Sequence, residues 1–158
     1  MQNNNNPYAQ ASNAYGQSSS HAPTDQRSLE AQLLLKAAQK LEQLQLSLKN
    51  GMTPSLEQVD DILEYNRKLW TVFASETANE ENPLPQDIKN NIASLAVFIF
   101  KRTVSIQSET TAEKFDVLIE INRQIASGLM KQAENAETAA PATETPPSQE
   151  NTLSDTMA

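Results

Sequence analysis

One histidine, no cysteine and three scattered glycines leave this chain of 158 residues with few groups for bond-breaking chemistry. A hydrolytic triad needs a base held in place, and His21, the sole imidazole, lies in a polar stretch expected to be mobile. A phosphate-cradling loop needs clustered glycines ahead of a Lys-Ser/Thr pair, which Gly16, Gly51 and Gly128 cannot supply. Without thiols there is no thiolate nucleophile, disulfide framework or zinc-thiolate site. Asp60, Asp61 and Glu64 share one helical face, as hard-metal ligands do, but they read better as a solvated acidic face. No catalytic residue, metal or cofactor is therefore expected.

The residues suited to binding are more informative. Glu64-Tyr65-Asn66-Arg67-Lys68-Leu69 and Glu120-Ile121-Asn122-Arg123-Gln124-Ile125 share the pattern Glu-x-Asn-Arg-x-aliphatic. In each, the asparagine occupies a position of the apolar face. Asn66 and Asn122 read as polar register devices that fix helix pairing, or as groove caps that hydrogen-bond a bound segment's backbone. Trp70 lies on the same face and reads first as a core residue, although an exposed Trp is a favoured binding anchor. With Arg67, Arg123 and Phe98, these residues form the candidate groove-lining set.

The net charge is −8. Past Lys131 the chain holds Glu134, Glu137, Glu144, Glu150 and Asp155 with no Lys or Arg, while residues 1–131 carry 12 basic against 15 acidic groups. No basic stripe stands out, so the counterion release that drives nucleic-acid binding has little to act on, and direct RNA or DNA binding is not expected. The N-terminus, Met1-Gln2-Asn3-Asn4, lacks a secretory signal's basic and apolar regions. The longest aliphatic or aromatic run, Leu95 to Phe100, is far short of the ~20 residues that span a bilayer. A cytoplasmic protein without a membrane segment is expected.

Positioning falls to four helical segments. The first starts behind Pro23 with Thr24 as N-cap and stops at Asn50-Gly51, and its face is Leu34, Ala37, Leu41, Leu44 and Leu48. The second is expected to start at Thr53-Pro54, a cap followed by proline at the first helical position. Its face is Leu56, Val59, Leu63, Asn66, Trp70 and Phe73. Asn82-Pro83-Leu84-Pro85 breaks the chain. The third segment, from about Pro85 to Ile106, carries Ile88, Ile92, Leu95, Ile99 and Ile106 on one stripe, with Val97, Phe98, Phe100 and Val104 off it. A helix apolar most of the way round is central, or presents a second face to a partner. The fourth opens with a predicted capping box, Thr110-Thr111-Ala112-Glu113. Short connections favour antiparallel neighbours. The expected fold is all-α: a four-helix bundle-like domain at 24–131. A flexible segment, 1–23, precedes it and a disordered acidic tail, 132–158, follows, both too poor in apolar side chains to offset their ordering entropy.

Several stretches together resemble FlaF, a family of flagellar biosynthesis regulators. They are Ser28-Leu29-Glu30-Ala31-Gln32-Leu33-Leu34, Tyr65-Asn66-Arg67-Lys68-Leu69-Trp70-Thr71, Asn82-Pro83-Leu84-Pro85 with Asn91-Ile92-Ala93-Ser94-Leu95, and Ile121-Asn122-Arg123-Gln124-Ile125-Ala126-Ser127-Gly128-Leu129. They occur in the family order over about residues 1–130. The resemblance implies a cytoplasmic protein needed for flagellin production and filament assembly, alongside the regulator FlbT. A more distant likeness is to the flagellin export chaperone FliS, a helical bundle whose N-terminal segment carries an Asn-Ala-Tyr, as Asn13-Ala14-Tyr15 does here. In FliS-like chaperones that segment covers a groove that later receives the flagellin C-terminal region, which would make Tyr15 part of the site. Here Pro23-Thr24-Asp25 replaces the Ser/Thr-Pro helix start of FliS. The expected function is a flagellin-binding export chaperone that also regulates flagellin synthesis. The alternative is a post-transcriptional regulator acting through FlbT or flagellin mRNA without chaperoning.

Overall fold

Leu34, Leu41 and Leu44 recur at the spacing of a helical face, and that face is buried in the first helix, α1, Pro23–Lys49. The computed structural model describes residues 23–139. The expectations for the N-terminal segment, Tyr15 included, and for the tail from residue 140 onward lie outside the described residues. The backbone of α1 is helical from Pro23, which places Thr24 inside the helix rather than at its cap; a proline at the first turn gives up no hydrogen bond. At the other end Gly51 takes φ +76°. Its N–H donates to the Leu48 carbonyl and that of Met52 to the Ser47 carbonyl, each at 3.0 Å. This paired closure needs a residue in the left-handed region, and glycine adopts it without penalty.

Helix α2, Leu56–Ala78, starts two residues later than the expected Thr53-Pro54 boundary. The cap is Ser55, whose hydroxyl accepts the Gln58 N–H at 3.2 Å while the Gln58 side-chain carbonyl accepts the Ser55 N–H at 2.9 Å. A cap at Thr53 would set Leu56, which has no acceptor, in the reciprocal position. Asn82 then shapes the Pro-rich break, donating to the Glu76 carbonyl at 3.2 Å and accepting the Leu84 N–H at 3.0 Å. Helix α3 is Gln86–Ser108 and helix α4 is Glu113–Ala139. The Thr110 hydroxyl donates to the Ile106 carbonyl at 2.9 Å, closing the end of α3 rather than opening α4 through the predicted box. Helix α4 also continues past Lys131, because buried Ala133 extends its apolar stripe by two turns beyond Ala126.

The four helices form an antiparallel bundle in which each packs on the next and α4 closes on α1. The α1–α4 pairing is the most extensive. Small buried residues, Ala31, Ala37 and Ala38 on α1 and Ala126 and Ala133 on α4, let those two axes approach closely. Side-chain pairs tie opposite ends together: Arg27 with Gln132 at 2.6 Å, and Glu42 with Arg123 at 2.7 Å. Large side chains with essentially no exposure fill the centre, among them Trp70, Phe115, Leu63, Ile99 and Leu118. Trp70 meets Phe73 edge to face, with ring centroids 5.6 Å apart.

Helix α3 is not the centre of the bundle. Ile92, Ile99 and Ile106 are buried, but Leu95 is only partly so and Ile88 is exposed. Its excess apolar side chains lie at the surface, with Val97 52% and Val104 64% exposed. Of the two readings open for a helix apolar on several sides, the second applies: α3 turns a second apolar face outward.

Candidate functional site

Asp60, Glu64, Arg67 and Thr71 recur at helical spacing and make one wall of an open groove between α2 and α3. Phe100, Thr103, Val104 and Gln107 make the other, and the groove has a volume of ≈ 530 Å³. Because the helices are antiparallel, Asp60 lies opposite Gln107, whose amide donates to its carboxylate at 3.1 Å and closes one end. Thr71 lies toward Phe100 at the other. At 1.5 Å per residue the α2 wall is about 16 Å long, or three helical turns.

The floor is apolar despite its threonine. Thr103 is buried, and its hydroxyl donates to the Ile99 carbonyl at 2.8 Å, so the backbone absorbs its polarity. Phe100 is partly buried beside it, and Val104 stands on the rim. On the α2 side Glu64 meets Lys68 at 2.9 Å and Arg67 at 3.8 Å. The hydrogen bond from Lys68, helped by that ammonium's charge, holds the Glu64 carboxyl below the usual carboxylate range. These acidic side chains are distributed along the wall, and among the described residues no three groups are gathered to hold a metal ion.

The structure separates the candidate residues. Arg67 lines the groove. Asn66, Trp70 and Asn122 do not, because each is 0% exposed in the interior. They form a hydrogen-bonded chain: the Trp70 Nε1–H donates to Asn122 Oδ1 at 2.7 Å, and Asn122 Nδ2 donates to Asn66 Oδ1 at 2.7 Å. Asn66 Nδ2 is buried without a partner among the described residues. With no surface to offer, the two asparagines cannot cap a groove by touching a bound backbone directly; they pair with each other inside the bundle. Arg123 is exposed on α4 and ties it to α1 through Glu42.

Phe98 is partly exposed, with the Arg102 guanidinium 5.5 Å from its ring centre. It faces away from the groove, since it lies two positions before Phe100, a rotation of about 200° around the helix. The sequence reading passed over Phe100, Val104, Thr103, Gln107 and Thr71 as site residues. The available signal was the triplet Val97, Phe100 and Val104, a second stripe at spacings of three and four beside the buried one.

The family model for flagellar protein FlaF matches residues 11–129, well over half the chain and all of α2 and α3. No curated protein and no solved structure matches.

Proposed function

Since the chain belongs to the FlaF family of flagellar proteins, we propose that it binds flagellin in the cytoplasm, escorting it toward export and coupling its synthesis to filament assembly. The observation that carries this reading is the groove between α2 and α3. Amphipathic helices dock by laying an apolar stripe into a groove of this kind. The ends of unassembled flagellin have that character, and the C-terminal region is the proposed client segment. Val104 and Phe100 offer the apolar contact, and Arg67 stands on the opposite wall. No helix among the described residues is long and apolar enough to cross a membrane.

The test is a pulldown of the full chain from motile cells, with flagellin, FlbT and RNA scored separately. Flagellin recovered in stoichiometric amounts, and undiminished by nuclease, is the expected result. Recovery of FlbT or RNA without flagellin would overturn the chaperone reading in favour of post-transcriptional control.

A further inference from the structure

The two walls of the groove differ in kind. Helix α3 contributes an apolar surface, Phe100 and Val104, with Val97 one turn further along the same stripe. Helix α2 contributes charged side chains, Asp60, Glu64 and Arg67, and the two carboxylates among them are not equivalent. Glu64 is already engaged by Lys68 and Arg67. Asp60 has no ion pair among the described residues; Gln107 donates to it at 3.1 Å. A neutral amide holds the Asp60 carboxylate in place without cancelling its charge. The result is a positioned anion at one end of a groove about three helical turns long, with the apolar surface of Phe100 and Val104 on one side and Arg67 further along the Asp60 wall.

We propose that the groove selects an amphipathic helix that sets an apolar stripe on Phe100 and Val104 and a Lys or Arg against Asp60. The proposal deepens the flagellin-binding reading and rests on it. A seated helix covers Asp60 and removes part of its hydration, which disfavours an acidic or neutral neighbour and favours a cation. Charge thereby adds direction: with one anion at one end, the occupant is gripped in one orientation rather than two. Of the possible occupants, a second copy of this chain would also have to bring a cation to Asp60, and self-association is scored in the same experiment.

The experiment measures binding of monomeric flagellin to the full chain at low and high salt. Asp60→Asn, Asp60→Lys and Val104→Asp are compared with the unaltered protein, and circular dichroism checks that each variant folds. Asp60→Asn is expected to lower affinity about two- to fivefold at low salt, as for a partly exposed ion pair, and to flatten the salt dependence. Asp60→Lys is expected to lower it about tenfold or more. Val104→Asp is expected to abolish binding. If Val104→Asp abolishes binding while both Asp60 variants bind normally, the charge selection is overturned and the groove reading survives. If neither position matters, the groove reading falls and this inference with it. A dimer without flagellin that Asp60→Asn dissociates would also overturn the proposal, making a second copy the occupant.

Discussion

Asn122 donates its side-chain amide to the side-chain carbonyl of Asn66 across 2.7 Å, with both residues fully buried. The two asparagines of the matching hexapeptides thus face each other through the core, and Trp70 completes the chain from the other side of Asn122. Its members are not interchangeable. Asn122→Leu strands the Trp70 N–H and the Asn66 carbonyl together, a loss of roughly 2–6 kcal/mol at about 1–3 kcal/mol for each buried unpaired group. Asn66→Leu strands only the Asn122 amide and removes an amide that already lacks a partner. Urea unfolding should therefore show the Asn122 variant clearly less stable than the Asn66 variant. The reverse order would mean that the chain is not assembled in this way.

Ile99 and Leu95 separate the buried and half-open sides of α3. Ile99→Asp places a carboxylate where there is no exposure, and a buried unpaired charge costs several kcal/mol, a large share of a typical stability of ~5–15 kcal/mol. That variant should be unfolded or molten at room temperature. Leu95 is only partly buried, so Leu95→Asp should remain folded with a lowered Tm. Thermal melts followed by circular dichroism distinguish the two.

Glu30 carries a pH signature. Partial burial raises its carboxyl above the usual range, an effect that the hydrogen bond from Gln26 only partly offsets. A carboxyl raised in the folded state binds its proton more tightly there than in the unfolded chain. Stability then falls as pH rises from the unfolded value through the folded one, and the penalty is fully present at neutral pH. Glu30→Gln should raise Tm at pH 7 and have little effect below the unfolded carboxylate range. Equal effects at both pH values would exclude the desolvation argument.

The helices were legible because their signals are local. The leucines of α1 repeat within a few residues, and Gly51 follows the last turn where a left-handed residue is needed. Burial of Trp70 was legible for the same reason, since periodicity assigns a residue to a face. Periodicity does not say which neighbour lies beyond a face. Phe98 and Phe100 are both off the main stripe of α3, and only the rotation of α3 against α2 makes Phe100 a groove residue and Phe98 an outlier. The Trp70–Asn122 bond joins residues 52 positions apart, so no local pattern encodes it. The three cap expectations failed for local reasons: at Thr24 the helix already runs from Pro23, Ser55 rather than Thr53 has Gln58 to reciprocate, and the Thr110 hydroxyl donates to the Ile106 backbone carbonyl.

The central claim is that flagellin lies in the groove between α2 and α3, and site-specific crosslinking tests it most directly. A photoreactive residue replaces Val104 in the groove or, as a control, exposed Ser127 on α4. Each protein is irradiated with monomeric flagellin, and the crosslinked peptides are identified by mass spectrometry. The account predicts efficient crosslinking from position 104 into the flagellin C-terminal region and little from position 127. Crosslinks from position 127 with none from position 104, while flagellin is shown to bind, would contradict it.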